Sequence, residues 1–230
     1  LEHAGRLHLH LAVVGDPAEA AVRFLWDDGT ESILAPDTAT HSTATHLYAA
    51  PGVYGVTVQV MDAAGDVSEG RYEYVVIYDP TGGFVTGGGW IESPAGAYLY
   101  DATLTGRATF GFNSKYLKGQ SVPSGQTQFQ FQAGDFKFHS TAYEWLVVSG
   151  AKAQYKGVGQ VNGAGDYGFL LTATDGQLNG GGGFDKFRIK VWDRASHTVV
   201  YDNRRGTTDD VDHADPQQIA GGSIVIHRSR

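Results

Sequence analysis

Asp175, Asp185 and Asp193 are the side chains of this sequence best placed to do chemistry. Asp175 and Asp185 bracket a loop containing Gly176 and the run Gly180–Gly183, and Asp193 follows one strand length later. Carboxylates and backbone carbonyls gathered by flexible glycines suit a hard cation, so the expected cofactor is Ca²⁺. No EF-hand spacing is present, and the competing reading is a solvated hairpin loop whose Asp and Gly serve turn geometry. A second acidic group, Asp209, Asp210, Asp212 and Asp215 with His213, could hold a metal, pair with Arg204 and Arg205, or lie solvated.

The other candidate surface is cationic. Lys186, Arg188, Lys190 and Trp192 recur at every second residue, which puts them on one face of a strand. A tryptophan beside three cations makes that face the expected ligand-binding surface, with polysaccharide as the ligand. Trp90, Tyr98, Tyr100, Tyr143 and Trp145 are further aromatics able to stack on sugar rings. His8 and His10 share a face at i and i+2 and could begin a zinc site, but no third ligand stands near them.

Other chemistries lack their residues. No Gly-x-Ser-x-Gly elbow, His-Glu-x-x-His helix or P-loop occurs, and Gly180–Gly183 has no strand-to-helix setting. Carboxylates are plentiful, but a glycosidase pair is defined by separation in space. The expectation is therefore a non-catalytic protein. Cysteine is absent, which removes thiol catalysis and disulfides. Residues 1–78 carry three basic side chains (Arg6, Arg23, Arg71) against eleven acidic ones, and the remainder is balanced. That argues against nucleic acid, which calls for a basic face. No apolar run approaches the ~18 residues of a membrane span, so no insertion is expected. The abrupt start at Leu1, without a signal-peptide pattern, is what a processed or excised fragment would show.

The elements that must position these residues are strands. Tyr167, Phe169, Leu171 and Ala173 alternate with Gly168, Leu170 and Thr172, and Phe187, Ile189 and Val191 alternate with the cations. Both are the period-two signature of half-buried strands. Strands are also expected near 7–14, 21–26, 54–60, 71–78, 84–91, 97–104, 107–113, 127–132, 135–140, 143–148, 151–161, 198–202 and 223–227. The phenylalanine pairs Phe110/Phe112, Phe129/Phe131 and Phe136/Phe138 each sit two apart and read as core. The fold class is all-β, with one domain over 1–79 and a larger β-sandwich over 80–230, joined by the short linker at 79–83.

The first stretch carries a family pattern. Trp26-Asp-Asp-Gly-Thr30, His46-x-Tyr48, and Pro51-Gly-x-Tyr54-x-Val-Thr-Val-x-Val60-x-Asp62 resemble the polycystic-kidney-disease (PKD) repeat over residues 7–78. The resemblance implies an immunoglobulin-like sandwich of secreted and cell-surface proteins. It also implies a buried Trp26, and a Tyr54 in the tyrosine-corner position with its hydroxyl tied to backbone. Two departures stand out: an acidic turn, Asp27-Asp28-Gly29, and a start so close to the second strand that the first looks missing. A neighbouring subunit or an upstream domain would then supply that edge. The remainder resembles a glycine-rich C-terminal module that follows PKD-type repeats in large secreted bacterial proteins. Thr86-Gly-Gly-Gly-Trp-Ile91, Gly106-Arg-Ala-Thr-Phe-Gly-Phe112, Asp185–Asp193, Val200-Tyr-Asp-Asn203 and Gly221–His227 carry that resemblance. Together they imply an extracellular structural, adhesion or assembly region of a larger bacterial protein. The alternative is a carbohydrate-binding accessory module of a polysaccharide-degrading enzyme.

Overall fold

The computed structural model describes residues 2–3, 6–12, 21–34, 41–62, 64–78 and 83–228. The chain divides into two units, 1–78 and 79–230. The linker expected at 79–83 lies outside the described residues except for Gly83.

The described residues of the first unit form seven strands: β1 (Glu2–His3), β2 (Arg6–Ala12), β3 (Ala21–Leu25), β4 (Glu31–Leu34), β5 (His41–Leu47), β6 (Gly52–Met61) and β7 (Val67–Tyr78). Five form a sheet in the order β1-β7-β6-β3-β4, and β2 pairs with β5 in a second. Val22, Phe24 and Trp26 from the first sheet pack with Ala44 and Tyr48 from the β5 side, which gives the sandwich its core. The expected absence of a first strand is corrected here. Residues Glu2 and His3 run parallel to Ile77 and Tyr78 on β7, so two residues suffice for that edge.

Local chemistry explains this unit's fixed points. Trp26 is fully buried and its indole N–H donates to Ser32 Oγ at 2.9 Å. The Tyr54 hydroxyl donates to the Ala50 carbonyl, four residues upstream, at 2.9 Å. His46 stacks on Trp26 with centroids 4.7 Å apart, and its Nε2 lies 2.7 Å from Asp28 Oδ2. The acidic turn acts as a clamp: Asp28 accepts Thr30 N–H and hydroxyl, while Asp27 accepts Gly55 N–H at the bulge between β6 and β7.

The second unit is one antiparallel sheet. Its strands are β8 (Phe84–Ser93), β9 (Gly106–Tyr116), β10 (Pro123–Phe131), β11 (Phe136–Ser149), β12 (Lys152–Val161), β13 (Ala164–Thr174), β14 (Lys186–Asp193), β15 (Val199–Asp202), β16 (Gln217–Gln218) and β17 (Gly221–His227). The order is β15-β14-β13-β12-β11-β10-β9-β8-β17, with β16 beside β14. The sheet folds over on itself: Phe110 of β9 stacks on Phe187 of β14 with centroids 4.0 Å apart. All six paired phenylalanines are buried in that core, joined by Tyr155, Phe169 and Tyr201. Aromatic stacks of this kind add about 0.5–1.5 kcal/mol each beyond area burial.

Two strand expectations are corrected. Residues 97–104 form turns, with a single bridge between Tyr98 and Tyr201, because Asp101 Oδ1 takes the Thr103 N–H and hydroxyl and bends the chain. The strands expected at 135–140 and 143–148 are one long strand, β11, kept continuous by irregularities near Ala142 and Trp145.

Candidate functional site

The alternation of β14 sends Lys186, Arg188, Lys190 and Trp192 outward from the core, away from Phe187, Ile189 and Val191. That outer face is largely covered, most completely at Arg188. β15, through Asp202, and the segment after it, through Asp209 and Asp215, bring an acidic group to each cation. Arg188, only 2% exposed, donates through Nε and Nη2 to the two carboxylate oxygens of Asp202 at 3.0 and 2.8 Å. Its remaining nitrogen donates to the Thr208 carbonyl at 2.7 Å, and Asp209 lies 3.0 Å away. Lys190 pairs with Asp209 at 2.6 Å, and Lys186 with Asp215 at 3.7 Å. Asp215 also takes Arg204, and His213 binds Asp210. Burial alone would lower the Arg188 guanidinium, but Asp202 and then Asp209 outweigh it and hold it above its ordinary value. A bidentate arginine with all three nitrogens engaged is a fastening. Trp192 lies across Gly168, where an added Cβ would fall 2.3 Å from its ring, so glycine is required for that contact.

The three aspartates around the glycine loop do not converge. Asp175 and Asp185 sit together, one residue beyond the last cross-strand pair, Thr174 with Lys186. Asp193 closes the other end of β14, eight residues on, or ~26 Å at the usual rise of a strand. There it caps a turn, accepting Ala195 N–H, Ser196 N–H and the Ser196 hydroxyl. The N–H and hydroxyl of Ser196 hold its carboxyl below the usual carboxylate range.

Asp175 and Asp185 are buried, at 4% and 8% exposure, and each oxygen accepts a backbone N–H. Gly176 N–H reaches Asp185 Oδ1 at 2.8 Å and Gln177 N–H reaches Asp175 Oδ1 at 3.0 Å. Ile224 N–H reaches Asp185 Oδ2 at 2.7 Å and Ile226 N–H reaches Asp175 Oδ2 at 3.0 Å. With its amide nitrogen turned inward, the Gln177 side chain donates to both carboxylates, at 3.1 and 3.0 Å. The loop itself is tight: Gly183 N–H bonds the Gly176 carbonyl, and a Cβ on Gly181 would fall 2.0 Å from the Asp175 carbonyl oxygen. The pair thus fastens the β13–β14 loop to the outer edge of β17. Among the described residues no group of three or more His, Cys, Asp or Glu gathers as a metal site. His8 and His10 belong to β2, whose side chains lie outside the described residues.

Of the aromatics offered for sugar stacking, Tyr143 and Trp145 are buried, and Tyr98 packs on Phe131 and Phe136. Tyr100 is exposed. Trp90 is half-buried on the outer face of β8, with the Arg107 guanidinium 4.6 Å from its ring centroid.

The outer face of β8 to β11 is open, and the sequence had not marked it. Gln126, Gln128 and Gln130 of β10 all point outward, and their side-chain amides take no partner among the described residues. Gln128, Gln130, Asp135, Lys137, His139, Asn162 and Gly163 line a cleft of about 460 Å³ there. Asn162 shapes its rim, donating to the Asp135 carbonyl and accepting the Lys137 N–H. The available signal was the run Gln-Thr-Gln-Phe-Gln-Phe, in which every outward residue of the strand is an amide.

Neither a curated protein nor a solved structure matches the chain significantly. Residues 3–71 match the family model of the PKD domain. PKD domains are non-catalytic modules that typically occur in extracellular or surface proteins. With its buried Trp26, its Tyr54 hydroxyl on backbone and its two packed sheets, the first unit is a PKD repeat.

Proposed function

We propose that this chain is a non-catalytic structural and adhesion region of a larger secreted or cell-surface bacterial protein, the PKD repeat serving as spacer. The observation that carries the reading is the PKD match over residues 3–71. The pairing of Lys186, Arg188 and Lys190 with acidic residues of the same chain supports it, since that face is then spent on holding the fold together. An antiserum against the chain, used on fractions of the cells that make it, is the test. The parent protein is expected in the medium or on the surface, and a parent confined to the cytosol would overturn the proposal.

A second reading is favoured by one observation, the open, amide-lined cleft on β10 and β11. On this reading the second unit is a carbohydrate-binding accessory module, and its ligand meets the face opposite to the cations.

A further inference from the structure

The cleft is the end of a longer feature. The cross-strand register lines up Ser223, Gly88, Gly111, Gln128 and His139 in one row across β17, β8, β9, β10 and β11. A second row beside it reads Gly221, Trp90, Thr109, Gln130 and Lys137, and a row on its other side reads Val225, Thr86, Asn113 and Gln126. Over β8 and β9 the middle row is low: Gly88 and Gly111 lie between Trp90 and Thr109 on one side and Thr86 and Asn113 on the other. A Cβ built on Gly111 meets nothing within 4 Å, and one on Gly88 meets only the Phe110 carbonyl oxygen, at 3.9 Å. A trough therefore crosses β8 and β9 and opens into the cleft at Gln128 and His139. From β17 to β11, trough and cleft together span four strand spacings, ~19 Å.

The lining decides what fits. β8 to β11 are in mid-sheet with a strand on both sides, and on the outer edge of β17 the Ile224 and Ile226 N–H groups are taken by Asp185 and Asp175, so an added peptide strand finds no ready edge to join. At the cleft itself Asp135 and Lys137, 3.6 Å apart, offset one another, so the cleft carries no concentrated charge of the kind an anionic polymer would seek. What the lining offers are amides and hydroxyls: Gln126, Gln128, Gln130, Asn162, Thr109 and Thr86. Each amide donates and accepts at once, which matches a ligand whose hydroxyls do the same. Trp90, held by Arg107, adds an apolar wall on one side.

We propose that the trough and cleft bind one extended, uncharged polysaccharide chain, with Gln128 and Gln130 as its principal hydrogen-bonding side chains. This deepens the second reading above and rests on it. The test uses the full chain in affinity electrophoresis and calorimetry with mixed-linkage β-glucan, arabinoxylan, galactomannan and anionic polygalacturonate. Gly111→Leu fills the trough at a position with room for a side chain, and Gln128→Ala with Gln130→Ala removes the amides without touching the core. At least one neutral polysaccharide should retard the wild type, with the dissociation constant rising at least tenfold in both variants while melting temperatures stay unchanged. Retention by polygalacturonate alone, retention that survives both variants, or none by any of the four probes would overturn the inference. Should Gly111→Leu fail to fold, the glutamine pair decides. A surface-located parent that binds no polysaccharide sinks this inference alone, whereas a cytosolic parent sinks the structural and adhesion reading.

Discussion

The outer face of β14 and the outer face of β10 belong to the same folded sheet and have opposite fates. The first carries three cations and a tryptophan, and the chain's own acidic segment covers it. The second carries amides, hydroxyls and glycines, and nothing among the described residues lies over it. The difference follows from desolvation. A charge on a sheet face is costly to bury unless paired, so a chain that supplies both signs can close that face permanently. An amide gains little from its own chain and is left for water or for a ligand.

The comparison breaks most sharply at Arg188. Arg188→Ala leaves Asp202 buried without its partner, and a loss of about 3–5 kcal/mol is expected in denaturant unfolding. Replacing Arg188 by Met together with Asp202 by Leu should recover most of that loss, because no charge is then stranded. An unfolding midpoint unchanged in Arg188→Ala would mean that the covering segment is not held by this pair. A smaller effect is expected at the loop pair. Asp185→Asn removes a charged acceptor from Gly176 and Ile224 N–H and should cost about 1–3 kcal/mol. In the wild type each oxygen of this pair already holds an N–H, so melting in millimolar calcium and in chelator should agree. A rise of about 5–10 °C with calcium would instead place an ion at the loop.

The effects then shrink toward the surface. Lys190→Gln loosens a partly buried pair whose Asp209 keeps Arg188, and should cost about 1 kcal/mol, the loss diminishing in high salt. On the open face Gln128→Ala should change stability by no more than about 0.5 kcal/mol, since nothing in the fold depends on its amide. A larger cost there would mean that the amide serves the fold, and the contrast between the two faces would fail.

Much of the fold was legible because its signals are local. Trp26, His46, Tyr48 and Tyr54 hold their spacing within one hairpin-rich stretch, and the alternation over 167–174 and 186–192 places β13 and β14 directly. Residues 97–104 misled because Tyr98 and Tyr100 alternate like a strand, while the Asp101 turn that overrides them is a side-chain effect. The site was less legible for a different reason. Period two tells which residues share a face and is silent on what covers it. The segment that covers β14 comes 20 or so residues later, and only the Arg204 pairing with the acidic group was foreseeable. The same limit separated Asp193 from its two partners: one strand length in sequence is one strand length in space. Glycine and glutamine, which shape the open face, carry no chemical flag at all.

The fastening of β17 has a consequence for how the second unit comes into being. Its pairing with β8 joins residues 84–90 to 221–227, and its free edge is closed by two carboxylates rather than by a strand. Until Ile224 and Ile226 arrive, Asp175 and Asp185 face one another without those donors, and β8 has an empty side. Such long-range closure is slow to find. The unit is therefore expected to complete itself in one late step, after nearly all of it has been synthesised or exported. A chain interrupted before Ile224 would leave this seam open and its strands more exposed to proteases.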